Sequence, residues 1–334
     1  MFKVGITKDF LTSDGKLVYK DMGLDILDNA PGIEYEFIKT HQSPVTPAML
    51  HGYDAVLSLA PAYNKTSFEG VRTLKAICRF GVGYDMVDLD ACNDAGVIVT
   101  ITRGAVNYSV AESVIAWMLA LSHRVLQKDA LVRKGKWADR TLYMGSELRN
   151  KTLGIIGLGG IGGKLVQMLE NFGMNTPIAY DPYANKEVAT KYNVQLVELN
   201  TLLSESDFIS VNCPLTNETR NLVGARELSL MKKDAYIINT ARGGIINEKD
   251  LLEVLKSKSI AGYATDVFET EPATSDNPLF ELDNVILAPH SIAWTDELFS
   301  EIGRMACRQL VQIAEGKKPD HVVNTQILDQ WYSK

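Results

Sequence analysis

The feature that most constrains the fold of this chain is a glycine-rich turn between two apolar segments. Residues 152–156 are apolar and lead directly into Gly157-Leu158-Gly159-Gly160-Ile161-Gly162, after which apolar residues at spacings of three and four predict a helix that ends at Gly173. A second apolar segment, residues 178–180, stops at Asp181. A strand, a glycine turn, a helix, a second strand and an acid about 20 residues beyond the turn form the fingerprint of a dinucleotide-binding fold.

Asp181 indicates which dinucleotide binds. A carboxylate at this position accepts hydrogen bonds from the ribose hydroxyls and repels a 2′-phosphate, and Pro182 and Tyr183 follow it rather than an arginine. We therefore predict NAD as the cofactor rather than NADP. The alternative, an aspartate that caps a helix, does not explain the spacing from the glycine turn.

Short apolar segments alternate with helical patterns on both sides of the glycine turn. This alternation predicts an α/β protein with two Rossmann-like or flavodoxin-like domains, each built on a parallel sheet. A length of 334 residues agrees with two domains, because single cores stop growing at roughly 250–300 residues. Among the helices, we expect one over residues 17–27 and a long one that starts with a capping box at Ser109 and runs to about Gln127.

Composition excludes several classes of function. The net charge is −7 with both signs mixed along the chain, which argues against a nucleic-acid binder. No apolar run reaches about 18 residues, so no membrane span is predicted. The N-terminal residues lack the apolar region of a signal peptide, and the four scattered cysteines have no metal-ligand spacing. We expect a cytoplasmic protein with four buried thiols, no metal, no membrane or nucleic-acid partner and a small-molecule ligand.

Three polar clusters follow predicted strands in the second half of the chain. They contain Arg242, Glu271 and His290, which suit a carboxylate anchor, an acid that orients a histidine, and a general acid or base. Because carboxyl ends of parallel strands meet at one edge of a sheet, we expect the three to lie together. Each alone would more often be structural, but together, beside a dinucleotide site, they predict an oxidoreductase.

The motifs of this chain, taken together, resemble the D-isomer-specific 2-hydroxyacid dehydrogenase family from the first strand to about residue 325. The segments that carry the resemblance are RFGVGYD at 79–85, GLGGIG at 157–162 with Asp181, CPLTNET at 213–219, NTARGG at 239–244, DVFETEP at 266–272, and Pro289-His290. The resemblance implies an NAD-dependent enzyme that interconverts a small 2-keto acid and its D-2-hydroxy acid.

The resemblance also implies a role for each matching residue. Arg242 would bind the carboxylate and keto oxygen of the substrate, His290 would exchange a proton with that oxygen, and Glu271 would orient the imidazole and favour its protonated form. Backbone N–H groups of Val82 and Gly83 would bind the substrate carboxylate. Cofactor contacts would come from Gly157, Gly159, Gly160, Ile161, Gly162, Asp181, Cys213, Pro214, Thr219, Thr240, Ala241 and Asp266, together with Arg242 and His290.

The domain organisation that the family implies is discontinuous. Residues 1–104 and 295–334 would form the substrate-binding domain, and residues 105–294 would form an inserted NAD-binding domain. Family members are usually homodimers built through the cofactor domain. Residues 131–150 would then be an arm that packs on the partner subunit, although an ordinary surface loop is the alternative.

Three positions depart from the family pattern. Gly160 stands where the family often has arginine or another polar residue, so that one contact to the pyrophosphate is missing. Trp294 resembles the aromatic variant of the C-terminal binding protein branch; it would line the pocket and favour a bulky or apolar substrate, or else pack at the start of a helix. Residues 59–63 replace the Arg-Ser of phosphoglycerate dehydrogenases, which disfavours 3-phosphoglycerate; glyoxylate and hydroxypyruvate are the other specific candidates.

Two other functions are compatible with this fold. The chain could be an NAD(H)-responsive binding protein of the C-terminal binding protein type, but a pure sensor needs no proton donor, and Arg242, Glu271 and His290 are all present. A formate dehydrogenase would need glutamine where Glu271 stands, since hydride transfer from formate requires no proton donor. The residues therefore favour a 2-hydroxyacid dehydrogenase.

Overall fold

The computed structural model describes residues 1–332 and divides into two compact units. The first unit consists of Met1–Val106 and the chain from Trp294 onward, and the second consists of Asn107–Ala293. Each unit contains one sheet in which all neighbouring strands pair in parallel. The predicted α/β class with two parallel sheets is confirmed.

The sheet of the first unit has five strands in the order β2-β1-β3-β4-β5. The strands are β1 (Phe2–Ile6), β2 (Ile33–Phe37), β3 (Ala55–Ser58), β4 (Ala76–Arg79) and β5 (Ile98–Thr100), and the helices between them are α1 (Leu24–Asp28), α2 (Pro47–Leu50) and α3 (Leu89–Ala95). Every residue of β3, β4 and β5 is buried, because both faces of a parallel sheet are covered.

The sheet of the second unit has seven strands in the order β12-β11-β10-β9-β6-β7-β8. They are β6 (Leu153–Ile156), β7 (Ile178–Tyr180), β8 (Gln195–Leu196), β9 (Phe208–Val211), β10 (Tyr236–Asn239), β11 (Gly262–Thr265) and β12 (Val285–Leu287). The first strand in sequence, β6, lies between β7 and β9, so the strand order reverses there. This is the Rossmann arrangement, in which ligands bind at the carboxyl ends of the strands around the reversal.

Helices cover the sheet of the second unit. They are α4 (Asn107–Ser122), α5 (Val125–Arg133), α6 (Gly160–Leu169), α7 (Lys186–Tyr192), α8 (Leu199–Glu205), α9 (Ala225–Leu228) and α10 (Glu248–Lys256). Val114 and Leu121 of α4 share one core cluster with Leu165 of α6 and Ile155 of β6. This packing holds α4 beside the helix that follows the glycine turn. The first unit is completed by α11 (Asp296–Ala314) and α12 (Leu328–Tyr332).

Three local predictions are wrong. The long helix does not reach Gln127, because Arg124 adopts a φ of 55° and separates α4 from α5. Ser109 does not start a capping box, since α4 is already helical at Asn107 and the Ser109 carbonyl accepts a bond from the Ser113 hydroxyl. The helix over residues 17–27 is reduced to α1, because Gly23 adopts a φ of +70°.

The cysteines and the helices bear on the predicted absences. Cys78, Cys92 and Cys307 are buried free thiols, whereas Cys213 is only half-buried, which corrects the expectation of four buried thiols. Across residues 1–332, no helix combines the length and apolarity needed to cross a bilayer. The same residues contain no group of three His, Cys, Asp or Glu side chains arranged to hold a metal ion.

Candidate active site

The glycine turn lies between β6 and α6 at the carboxyl edge of the seven-stranded sheet. Gly157 adopts a φ of +93°, and a Cβ on it would lie 2.7 Å from the Cys213 nitrogen. A Cβ on Gly162 would lie 2.6 Å from the Gly157 carbonyl oxygen, so both positions require glycine. A Cβ on Gly159 would meet nothing within 4 Å. The turn therefore leaves open space above the N-terminus of α6, which fits the pyrophosphate of a dinucleotide.

Asp181 is held against this turn. One carboxylate oxygen accepts a hydrogen bond from the Leu158 N–H at 2.9 Å, and the other accepts one from the Tyr183 N–H at 2.9 Å. Among the described residues, no basic side chain forms a salt bridge with this carboxylate. The carboxylate keeps lone pairs for further donors, and its contact to the ribose hydroxyls stays a prediction.

The segment that follows β9 contains the predicted groove residues Cys213, Pro214 and Thr219. The Thr219 hydroxyl donates to the Pro214 carbonyl oxygen at 2.6 Å and accepts a bond from the Thr216 N–H at 2.7 Å. Burial raises the pKa of the Cys213 thiol to about 11, so that the thiol is neutral at physiological pH. The segment is thus a closed loop beside the strand at which the sheet order reverses.

Arg242 follows β10 in a loop that a buried amide holds. The Asn239 side chain is 1% exposed; it donates to the Arg242 carbonyl oxygen at 2.8 Å and accepts from the Ala241 N–H at 3.0 Å. Arg242 Nη1 donates to the Ala241 carbonyl oxygen at 2.7 Å. Thr240 and Ala241 lie in the same loop. Sequence reasoning missed the role of Asn239, because its burial cannot be read from the motif.

His290 follows β12 and contacts Glu271. Its Nδ1 lies 2.8 Å from Oε2 of Glu271, and Oε1 of Glu271 accepts a hydrogen bond from the Phe268 N–H at 3.0 Å. His290 is a non-glycine residue with a φ of 54°, a conformation that is uncommon and concentrates at functional sites. Because Nδ1 contacts Glu271 and the imidazole is half-exposed, Nε2 is the ring atom left to exchange a proton.

The charge of Glu271 is maintained by its partners. Burial alone would raise the pKa of this carboxyl, but the hydrogen bonds from His290 and Phe268, with the charges of His290 and Arg242, hold the pKa below its usual value. Glu271 is therefore an anion at neutral pH. An anion at Nδ1 stabilises the positive imidazolium that a proton donor requires.

Asp266, at the end of β11, holds the backbone beside His290. It is 6% exposed, and its carboxylate accepts bonds from the Ser291 N–H at 2.7 Å and the Ile292 N–H at 3.2 Å. Burial raises the pKa of Asp266, although these two bonds and the charge of His290 oppose the rise. The sequence predicted a contact to the cofactor for this residue, and the structure adds a role in fixing the loop at 290–292.

Val82, Gly83 and Trp294 belong to the first unit. Val82 and Gly83 follow β4, and within residues 1–332 neither N–H donates to another protein group. The buried Arg79 donates from Nε to the Gly83 carbonyl oxygen at 3.0 Å and so braces this loop. Two backbone donors on a braced loop suit the binding of a carboxylate.

Trp294 lies just before α11 on an aromatic cluster. Its ring centroid is 5.3 Å from that of Phe299 and 6.2 Å from that of Tyr19, both in edge-to-face contact. Tyr19 stacks in turn on Phe80, the residue that precedes the 81–83 loop. Trp294 is still 54% exposed. It therefore packs at the start of a helix and also leaves indole surface free for a ligand.

Comparison with known proteins identifies the family. Residues 115–291 match the model described as "D-isomer specific 2-hydroxyacid dehydrogenase, NAD binding domain". The chain is also 36% identical to a glyoxylate reductase of Thermococcus litoralis over 305 residues, which cover 88% of this chain and 92% of that protein. The chain belongs to the D-isomer specific 2-hydroxyacid dehydrogenase family. The predicted family and the predicted NAD cofactor are confirmed.

Other members of the 2-hydroxyacid dehydrogenase family are similarly related. The chain is 44% identical to a D-3-phosphoglycerate dehydrogenase of Methanocaldococcus jannaschii over 263 residues, 78% of this chain and 50% of that protein. The chain spans about half the length of this phosphoglycerate dehydrogenase and of the one from Archaeoglobus fulgidus. The solved structure of a glyoxylate reductase from Paecilomyes thermophila has a TM-score of 0.81 and 26% identity, covering 97% of this chain and 99% of that one.

Proposed function

We propose that this 2-hydroxyacid dehydrogenase reduces a small 2-keto acid to its D-2-hydroxy acid with NADH and catalyses the reverse reaction with NAD. The observation that carries the proposal is the contact of His290 with Glu271 at the sheet edge that also bears the glycine turn. A positioned imidazole paired with a carboxylate is a general acid and base, which a protein that only senses NAD(H) does not need.

In this proposal the second unit, assigned to about residues 105–294, binds the cofactor. Asp181 would accept hydrogen bonds from the ribose hydroxyls, and the N-terminus of α6, at Gly160 and Ile161, would bind the pyrophosphate. The bound cofactor supplies the hydride that the substrate carbon receives. The close backbone contacts at Gly157 and Gly162 would keep this binding surface in place before the cofactor binds.

His290 and Glu271 would move the proton. During reduction, Nε2 would donate its proton to the carbonyl oxygen of the keto acid while the Glu271 carboxylate stabilises the imidazolium at Nδ1. During oxidation the neutral imidazole would take the proton back from the hydroxyl group. Glu271 stays charged throughout, since its lowered pKa keeps it ionised at neutral pH.

Arg242 would orient the substrate. A guanidinium group can donate two parallel bonds to a carboxylate, and the Asn239 amide restrains the loop that carries it. The N–H groups of Val82 and Gly83 are further candidate donors to the substrate carboxylate. The first unit, assigned to about residues 1–104 and 295–334, would thus be the substrate-binding domain.

We propose an uncharged substrate side chain, either apolar or bulky. The exposed indole of Trp294 supports an apolar group, and the Ala60 N–H at residues 59–63 donates to an Asp9 carboxylate at 2.7 Å. A carboxylate there would repel the phosphate of 3-phosphoglycerate, whereas glyoxylate and hydroxypyruvate carry no such charge on their side chains.

A panel of keto acids tests the activity. NADH oxidation would be followed with glyoxylate, hydroxypyruvate, pyruvate, phenylpyruvate and phosphohydroxypyruvate, with the Trp294→Ala variant beside the native protein. We expect turnover of the compounds whose side chains carry no charge and a loss of kcat/KM for phenylpyruvate in the variant. Absence of turnover with every compound would contradict the enzyme and favour an NAD(H)-responsive binding protein of the C-terminal binding protein type.

We also propose that the protein is a homodimer whose interface includes residues 131–150. Val132, Trp137, Leu142 and Met144 are 60% to 77% exposed in this segment, a concentration of apolar surface that is typical of interfaces. Sedimentation equilibrium of the native protein and of the Trp137→Asp, Leu142→Asp variant tests this. A native monomer, or a double variant that stays dimeric, would contradict it.

A further inference from the structure

The first residue of α6 is a glycine that another side chain covers. A Cβ built on Gly160 would lie 2.5 Å from Nδ2, 2.8 Å from Oδ1 and 2.9 Å from Cγ of Asn107. Real Cβ atoms do not approach other heavy atoms so closely. The carboxamide of Asn107 therefore lies where a side chain at position 160 would begin.

Asn107 reaches this place from a different helix. It is the first residue of α4, and the shared core of α4 and α6 fixes the two helices against each other. Its side chain is half-buried, and within the described chain its amide forms no hydrogen bond. Within the described chain, the amide therefore has no protein partner that a bound ligand would have to displace.

The surroundings of this amide favour an anion. The N–H groups in the first turn of α6 have no partners inside the helix, and the helix dipole adds positive potential there. No side chain caps this turn: Gly159 occupies the cap position, and a Cβ on it would meet nothing within 4 Å. The Asn107 amide has two N–H donors that can point toward the same space.

We propose that Asn107 donates a hydrogen bond from Nδ2 to the pyrophosphate of bound NAD and so replaces the polar side chain missing at Gly160. The inference rests on NAD binding at this turn, which is part of the proposed function, but not on the identity of the substrate. Gly160 and Asn107 then form a complementary pair, because any side chain at 160 displaces the amide.

Equilibrium binding of NADH without substrate tests the pair. NADH fluorescence would give Kd for the native protein, Asn107→Ala, Gly160→Ala and the double variant, with Asn200→Ala, an exposed helical asparagine in α8, as the matched control. We expect each single variant to bind NADH about tenfold more weakly, as for loss of one hydrogen bond to a charged group. The double variant should be no weaker than Asn107→Ala alone.

ADP-ribose locates the contact, since it keeps the pyrophosphate and lacks the nicotinamide. Asn107→Ala should lose the same factor in affinity for ADP-ribose as for NADH, with an unchanged melting temperature of the cofactor-free protein. Native affinity for NADH in this variant, a loss confined to NADH, or a loss that merely follows a lowered melting temperature would each overturn the proposal. Failure of the native protein to bind NADH would instead contradict the cofactor site itself.

Discussion

The Nδ1 atom of His290 lies 2.8 Å from Oε2 of Glu271, while the Phe268 N–H donates to the other oxygen of that carboxylate at 3.0 Å. Both oxygens are thus occupied, which restrains the carboxylate from rotating away from the ring. The imidazole is oriented with Nε2 away from Glu271. This geometry agrees with the proposed role of His290 as proton donor to a carbonyl group.

Replacing His290 with glutamine should remove the proton donor and little else. We expect reduction of the best keto acid to fall by about 100-fold to 10,000-fold, the usual contribution of general acid catalysis, with NADH affinity nearly unchanged. Steady-state kinetics and NADH titration measure the two quantities. His41→Gln, at an exposed position, is the matched control. A parallel loss of NADH affinity would show that His290 is structural.

The lowered pKa of Glu271 determines the acid side of the pH profile. Because the folded carboxyl loses its charge only below the ordinary glutamate value of about 4.3, the reductive kcat/KM should hold as the pH falls toward that value. The stabilisation from the ionised carboxylate is likewise present above the ordinary pKa and lost as the pH falls through the lowered one. A decline of kcat/KM that sets in well above pH 5 in the native enzyme and is absent from Glu271→Gln would contradict this.

The Glu271→Gln variant should leave His290 without its charged partner. Because a glutamine side chain places no full negative charge at Nδ1, we expect kcat/KM for keto-acid reduction to fall while NADH affinity stays nearly unchanged. Steady-state kinetics and NADH titration measure the two quantities, and Glu205→Gln on the surface serves as a control. A variant with the native kcat/KM would argue against the proposed role of Glu271.

The Asp181→Ala variant should relax the choice of cofactor. The carboxylate repels a 2′-phosphate and accepts from the ribose hydroxyls, so its loss should weaken NADH binding and improve NADPH binding. The ratio of kcat/KM for the two cofactors should move toward one. Asp234→Ala, an exposed site in the same unit, should leave the ratio unchanged. An unaltered ratio in Asp181→Ala would refute the assignment to the ribose.

The Asn239→Ala variant should lower stability and loosen the Arg242 loop. Its loss leaves the Arg242 carbonyl and the Ala241 N–H without their present partner, so we expect the free energy of unfolding to fall by about 1 to 3 kcal/mol. Urea unfolding measures this, and KM for the keto acid should rise. If Asn239→Ala matches the native protein in both, the amide does not organise the loop.

Much of the fold could be predicted from local patterns. β7 has the bounds of the predicted segment over 178–180, and β6 starts one residue after the predicted segment over 152–156, because buried strands are continuous apolar runs. The break at Arg124 could not be predicted, since arginine has no preference for a positive φ. The late start of α1, directly after Gly23, could not be predicted either, because it depends on the Arg304 backbone, to whose Cα a Cβ on Gly23 would come within 2.7 Å.

The candidate site likewise combines residues that the sequence could predict with contacts that it could not. Arg242, Glu271 and His290 could be proposed from the sequence because each follows an apolar strand, and parallel strands bring their carboxyl ends to one edge. The contact of Asn107 with Gly160 could not, since it depends on how two helices pack. The hydrogen bonds that the Ser291 and Ile292 N–H groups donate to Asp266 could not be predicted for the same reason.

The contacts of Asp266 make the position of His290 independent of the segment that precedes β12. The loop that carries His290 is tied to the end of β11, a neighbouring strand, by the two N–H groups that Asp266 accepts from. The residues between Pro272 and β12 are not needed for that attachment. Insertions at the exposed residues 274–276 should therefore leave the imidazole in place, whereas Leu279, which is 1% exposed in the core of the second unit, must keep its position.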